Sequence, residues 1–145
     1  MSRFSLINLG CPKNTVDSEC MLGSLAQAGL EFTPEPLDAD ICLVNTCGFL
    51  DAARQEAAEV FAELVAQREG QGRERPLLVA LGCLVERVGG AKELADFCRR
   101  RMPVWGLRTI RVCRTFAATC WLAGAIQRQR PGTPAKHCLK LIWIG

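Results

Sequence analysis

The stretch DADICLVNTCGF, residues 38–49, contains a nearly continuous apolar run, Ile41–Val44, followed by a polar pair and then a cysteine. Strands that are buried on both faces of a parallel sheet have this composition, whereas strands with one solvated face alternate polar and apolar residues. Two comparable runs, RFSLINL at 3–9 and PLLVALG at 76–82, end just before Cys11 and Cys83. The three runs predict three buried strands, each ending at a cysteine.

Helical patterns separate these runs. Apolar residues at helical spacing predict a helix from Val16 that stops at Gly29, a second over Asp51–Arg68 with Arg68 off its apolar stripe, and a further one within residues 86–97. A minor strand is expected at Phe32 and Thr33. Alternating strands and helices are typical of an α/β fold, so we expect a parallel sheet flanked by helices.

Three cysteines are the strongest functional feature of the sequence. Cys11, Cys47 and Cys83 are equally spaced, and each has a glycine beside it. Parallel strands end on one edge of the sheet, where open α/β sheets build their binding sites, so the three thiols are expected there together. Three thiolates without a fourth ligand suit a [4Fe–4S] cluster that keeps one iron open, because cysteine sulfur holds cluster iron.

Other roles for the cysteines remain open. A buried cysteine is often a small apolar residue, which is the role we assign to Cys20 and Cys42. Structural zinc favours Cys-x₂₋₄-Cys pairs, which the three cysteines do not form. A thiol redox protein is less favoured because the chain contains no Cys-x-x-Cys pair.

Polar residues accompany two of the cysteines. A polar group opens the first predicted helix and comprises Asn14, Asp17, Ser18 and Glu19. Its simplest role is capping of free backbone N–H groups, and a role at the site is the alternative. Asn45 and Thr46 precede Cys47. They either hydrogen-bond to the sulfurs of a cluster or only turn the chain.

The charge of the chain changes abruptly after Phe97. Residues 1–97 contain eight Lys and Arg against fifteen Asp and Glu, whereas residues 98–145 contain ten basic residues, no acid and all three tryptophans. A globular segment of that length ordinarily contains several acids. We therefore divide the chain into a domain at residues 1–97 and a basic tail at residues 98–145.

The tail has three interpretations: an arginine-rich nucleic-acid-binding segment, a solvated extension, or an out-of-frame translation. Reading the codons for residues 97–116 from the third base, with free codon choice, permits a peptide with acids and a tyrosine, a residue that the chain lacks. We favour the out-of-frame interpretation and expect an irregular or partly helical tail. Its exposed tryptophans would favour association, and the single histidine, His137, has no assigned role.

The segments GCPKNTVDSE, NTCGFLDAARQE and LGCLVER are together similar to the amino-terminal domain of radical-SAM methylthiotransferases. The PKN and GF residues resemble the RimO branch, which modifies an aspartate of a small-subunit ribosomal protein. The resemblance covers residues 1–97 and implies that Cys11, Cys47 and Cys83 bind an auxiliary [4Fe–4S] cluster. It also implies a methylthio transfer in which S-adenosylmethionine, bound at a second [4Fe–4S] cluster, provides the methyl group and the radical.

The chain departs from this family in the second cluster motif. The remaining cysteines, Cys98, Cys113, Cys120 and Cys138, do not form the Cys-x₃-Cys-x₂-Cys of the radical-SAM core. We therefore expect a truncated, inactive methylthiotransferase that supplies the auxiliary cluster domain and no catalytic residue. No secretory leader opens the chain, and no apolar stretch reaches the roughly 20 residues of a membrane span. We expect a cytoplasmic monomer without membrane or nucleic-acid partners. The alternative function is that of a small α/β nucleic-acid-binding module with an arginine-rich tail.

Overall fold

Five parallel strands form one sheet in this computed structural model, which describes residues 2–73, 75–86, 92, 94, 96 and the backbone of 110–112. The strands are β1 (Arg3–Leu9), β2 (Glu31–Phe32), β3 (Ile41–Thr46), β4 (Leu77–Gly82) and β5 (Ile110–Val112), and their spatial order is β2-β1-β3-β4-β5. The described helices are α1 (Pro12–Gln27), α2 (Asp51–Gly70) and the short α3 (Cys83–Glu86), with a 3₁₀ turn at Pro36–Asp38. The predicted α/β fold is confirmed.

The sheet is covered on both faces, as the composition of β3 predicts. Every residue of β3 is buried. Cys42 and Val44 pack against α2, while Ile41 and Leu43 pack against α1, because successive side chains of a strand point to opposite faces. Cys42 therefore has the core role predicted for it.

Helix α1 begins earlier than its apolar pattern indicates. It starts at Pro12 rather than Val16, since proline suits the first position of a helix. Its buried face consists of Asn14, Ser18, Met21 and Leu25. Val16 lies off this face and is 58% exposed, and Cys20 is also exposed. The core role predicted for Cys20 is wrong.

Helix α2 ends at Gly70, and its Arg68 is buried, contrary to the prediction. The Arg68 guanidinium donates a hydrogen bond to the carbonyl oxygen of Pro76, 3.3 Å away, and so ties the end of α2 to the chain that enters β4. The long aliphatic stem of arginine makes such burial compatible with a charged head group. None of the described helices has the length and apolarity needed to cross a bilayer.

Strand β5 lies in the segment for which an irregular tail is predicted. Its three residues pair in parallel with β4, from Ile110 opposite Leu78 to Val112 opposite Ala80. The irregular-tail prediction is therefore wrong for these three residues. The other residues of the predicted tail, 98–109 and 113–145, lie outside the described part of the chain, as does most of the helix predicted within residues 86–97.

Candidate metal centre at the carboxyl edge of the sheet

Strands β1, β3 and β4 end together at one edge of the sheet. Leu9 of β1 pairs with Thr46 of β3, which pairs with Gly82 of β4. Cys11, Cys47 and Cys83 follow these positions and lie at the same edge, as predicted from the sequence. The edge also contains the topological switch point, since the chain leaves β1 and β3 toward opposite faces of the sheet.

Asn14 connects two of the three thiols. Its side-chain oxygen, Oδ1, lies 3.4 Å from Sγ of Cys11 and 3.8 Å from Sγ of Cys83, and accepts a hydrogen bond from each thiol. Asn14 is 1% exposed, so this acceptor is shielded from water. A single buried amide oxygen therefore faces two of the predicted ligands.

The amide of Asn14 is fixed by a second asparagine. Nδ2 of Asn14 donates to Oδ1 of Asn45 and to the carbonyl oxygen of Thr46, each at 3.1 Å. Nδ2 of Asn45 in turn donates to the Asn14 carbonyl oxygen and to Oγ of Ser18, each at 3.0 Å. We call Asn14, Ser18 and Asn45 the amide network; it joins the start of α1 to the end of β3.

The amide network decides between the roles predicted for these polar residues. The α1 N-cap position makes no side-chain capping bond, and Asn14 and Ser18 are instead buried against β3. Nδ2 of Asn45 donates to oxygen atoms, and Oγ1 of Thr46 donates to the Leu81 carbonyl oxygen at 2.7 Å. Asn14 contacts sulfur, which agrees with the role at the site given as the alternative for its group, although the sequence did not single out Asn14 within that group. Its spacing upstream of Ser18, Met21 and Leu25 on one helical stripe is the signal that could have identified it.

Two glycines allow the strand ends to approach one another. A Cβ atom at Gly48 would lie 2.8 Å from the carbonyl oxygen of Cys83, so the chain after Cys47 packs directly on the backbone of Cys83. Gly82 has a φ of 94°, which favours glycine, and a Cβ there would collide with Oδ1 of Asn45. Both positions require glycine for the observed packing.

Cys11 at this edge differs from the core residue Cys42 in the pKa of its thiol. Hydrogen bonds from the backbone of Asn14 and then of Lys13 lower the pKa of the Cys11 thiol, which sits at the start of α1. Burial raises the pKa of Cys42 to about 12. Cys11 is thus suited to act as a thiolate ligand, and Cys42 is not.

The candidate ligands at the edge match a sulfur-ligated group in residue type. All three candidates are cysteines, and two of them share the Asn14 oxygen. Cys47 is 6% exposed and is linked to Cys83 through the backbone contact of Gly48. Within the residues that the structure describes, no three Cys, His, Asp or Glu side chains converge as metal ligands. Two of the predicted ligand side chains therefore contact one shared oxygen, and the third cysteine follows the strand that lies between theirs.

Comparison with known proteins identifies relatives of this region. The sequence profile of the uncharacterized protein family UPF0004 matches residues 3–100. The chain is 52% identical over 83 residues to the ribosomal protein uS12 methylthiotransferase RimO of Akkermansia muciniphila, which covers 57% of this chain and 18% of the relative. It is 50% identical over 95 residues to the protein of the same name from an Anaeromyxobacter species, covering 65% and 19%.

A third relative shows the same partial coverage. The ribosomal protein uS12 methylthiotransferase RimO of Desulforudis audaxviator is 54% identical over 86 residues, which is 59% of this chain and 18% of the relative. The matching region thus spans about a fifth of the length of these curated relatives.

Proposed function

Because this chain belongs to the uncharacterized protein family UPF0004 and its amino-terminal region is RimO-like, we propose that Cys11, Cys47 and Cys83 hold the auxiliary [4Fe–4S] cluster of a methylthiotransferase. The observation that carries the proposal is the shared Asn14 oxygen, which brings together thiols from two strand ends that flank the end of β3. When bound by three cysteines, such a cluster supplies one iron without a protein ligand, at which a sulfur donor can bind.

The roles of the chain's own residues follow from their surroundings. Each cysteine loses its thiol proton when it binds iron. The backbone of Asn14 and Lys13 favours the thiolate at Cys11, and the close packing of Gly48 on Cys83 keeps two strand ends in contact. The edge thus orients the ligands.

The reaction we propose for the complete enzyme is the one that the names of the relatives state, a methylthio transfer to a ribosomal protein. The resemblance of the PKN and GF residues to the RimO branch adds an aspartate as the proposed acceptor. This chain supplies the auxiliary cluster domain in that reaction. S-adenosylmethionine chemistry would need a Cys-x₃-Cys-x₂-Cys site, which these 145 residues do not contain. We propose that the reaction takes place in the cytoplasm, because its proposed substrate is a ribosomal protein. The similarity to the methylthiotransferase relatives favours this function over a nucleic-acid-binding module.

Iron and sulfide analysis after anaerobic reconstitution tests the cluster assignment. We expect the 145-residue chain to bind roughly four iron and four sulfide ions. The Cys47→Ala variant should bind far fewer. Cys20→Ala is the matched control, because Cys20 is exposed on α1 and outside the site. Equal loading of the Cys47→Ala variant and the unaltered chain would overturn the assignment.

We also propose an origin for the change in composition after Phe97. The family match ends at residue 100, close to the point after which the chain has no acid. We propose that residues 98–145 are translated out of frame. Re-sequencing the gene across the codons for residues 95–101 and downstream tests this. A one-base shift that opens a frame encoding Cys-x₃-Cys-x₂-Cys is expected, and an unshifted frame with no such motif downstream would contradict it.

A further inference from the structure

We propose that Asn14 is a positioning residue that holds the Cys11 and Cys83 thiols as a neighbouring pair before a metal or cluster arrives. The inference rests on the proposed function, because it assigns Asn14 a role at the same edge. It concerns the metal-free protein, so it can be tested without loading a cluster.

Strand order explains why the two thiols need a connecting residue. Cys11 follows β1 and Cys83 follows β4, and β3 lies between these strands. Neighbouring strands are about 4.8 Å apart, so the ends of β1 and β4 are separated by roughly 10 Å. The backbone alone therefore does not bring the two sulfurs together. Asn14 lies across the end of β3. Its Nδ2 donates to the Thr46 carbonyl oxygen, and its Oδ1 accepts a hydrogen bond from the thiol on each side.

The amide network sets which atom of Asn14 faces the thiols. Nδ2 has two oxygen acceptors, Oδ1 of Asn45 and the carbonyl oxygen of Thr46. Turning the amide over would place Oδ1 against both of these oxygens and leave buried acceptors without donors, which costs about 1–3 kcal/mol for each such group. Oδ1 is therefore held toward the sulfurs, as an acceptor for the two S–H groups.

The size of the effect follows from side-chain rotamers. A cysteine side chain has three staggered χ1 positions, so two cysteines without a common acceptor share about nine combinations. In the observed combination, both sulfurs contact Oδ1 of Asn14. Removing the Asn14 amide should thus lower the population of the paired thiols by up to about ninefold.

An arsenic(III) reagent that bridges neighbouring thiols measures this population. Phenylarsine oxide forms two As–S bonds, and its oxygen leaves as water with the two thiol protons, so no oxidant is needed. We would treat the reduced full-length chain with one equivalent and identify the bridged peptides by mass spectrometry. The expected product joins Cys11 to Cys83. A bridge from Cys11 to another cysteine, or no bridge, would overturn the inference even if no variant folded.

Three variants separate positioning from general damage. Asn14→Ala should slow the Cys11–Cys83 bridge by up to about ninefold. Ser18→Ala removes a hydrogen bond from the same network without touching sulfur and leaves the Asn14 amide in place, so it should lower stability and slow the bridge less than Asn14→Ala does. Asn8→Ala removes an exposed side-chain bond to Thr15 and should change neither quantity. Equal slowing by Asn14→Ala and Ser18→Ala would contradict a positioning role.

The inference and the proposed function fail in different ways. A chain that forms the Cys11–Cys83 bridge but takes up no iron contradicts the cluster assignment and leaves the thiol pair intact. A chain that takes up iron, and forms the bridge at the same rate with and without the Asn14 amide, contradicts the positioning role and leaves the cluster assignment intact.

Discussion

The two edges of the sheet are built from different interactions. At the carboxyl edge, the amide network consists of three uncharged polar side chains that are at most 4% exposed. At the amino edge, exposed or half-buried ion pairs connect the strand entries: Arg75 pairs with Asp40, whose carboxylate also accepts the backbone N–H of Arg3, and Arg73 pairs with Asp38 at 4.0 Å. Both edges connect the same strands.

The difference indicates where the chain tolerates change. Exposed ion pairs contribute about 0–1 kcal/mol, because water and salt screen them. Disrupting a buried polar network costs more stability, because a buried donor or acceptor that loses its partner cannot form a hydrogen bond with water instead. We infer that the amino edge is a replaceable connection, whereas the carboxyl edge is held in one arrangement that orients the cysteines.

The largest predicted difference is between the thiols of Cys11, at the carboxyl edge, and Cys42, near the amino end of β3. Burial holds the pKa of Cys42 at about 12, whereas backbone hydrogen bonds lower that of Cys11 below its ordinary value of 9.0. At pH 8 we expect iodoacetamide to modify Cys11 more than about a hundredfold faster than Cys42, because the thiolate is the reactive form. The Cys11 rate should rise with pH through a midpoint below 9.0.

Peptide mapping after timed alkylation measures both rates in one sample. Unfolding the chain in urea is the control, since it should make the two rates similar. Similar alkylation rates for Cys11 and Cys42 in the native protein would contradict the predicted difference in reactivity between the two thiols.

Gly82→Ala should cause the largest loss of stability. The new Cβ would collide with Oδ1 of Asn45, at a residue with a φ of 94°. Backbone strain and overpacking together predict a loss of about 4 kcal/mol in the free energy of unfolding. Gly23→Ala is the matched control: Gly23 lies within α1 with no atom near its potential Cβ, so this change should stabilise the chain by about 0.5–1 kcal/mol. Urea denaturation measures both, and equal effects would refute the close packing at the carboxyl edge.

Asn45→Ala and Asp38→Asn compare the two edges directly. Asn45→Ala removes the partners of Asn14 and Ser18 in a buried site, and we expect a loss of about 2–3 kcal/mol. Asp38→Asn weakens the ion pair with Arg73, in which both side chains are about half exposed, and should cost less than about 1 kcal/mol. Urea denaturation at low and high salt measures both effects, and a larger loss for Asp38→Asn would reverse the proposed contrast.

The sequence was informative where one physical rule dominates. Continuous apolar runs require cover on both faces, and parallel strands end on one edge, so β3, β4 and the positions of Cys11, Cys47 and Cys83 were predictable. The α1 start was missed because the apolar pattern begins at Val16, whereas the buried face begins with the polar Asn14.

Contacts between distant residues were beyond the reach of local patterns. Asn14 is buried only because Asn45, 31 positions away, offers it partners. Arg68 was expected to be exposed as a charged residue, but the carbonyl oxygen of Pro76 accepts its hydrogen bond inside the fold. Strand β5 is only three residues long, and its pairing with β4 is a tertiary contact that the composition of the tail does not reveal.

Thiol footprinting before and after reconstitution tests the central claim most directly. The unaltered full-length chain contains nine cysteines, all of which can be followed by alkylation and peptide mapping. Our account predicts that adding iron and sulfide protects Cys11, Cys47 and Cys83 together and leaves the reactivity of the other six unchanged. Protection of a different set, or of Cys11 and Cys83 without Cys47, would contradict the assignment of one cluster to the three strand ends.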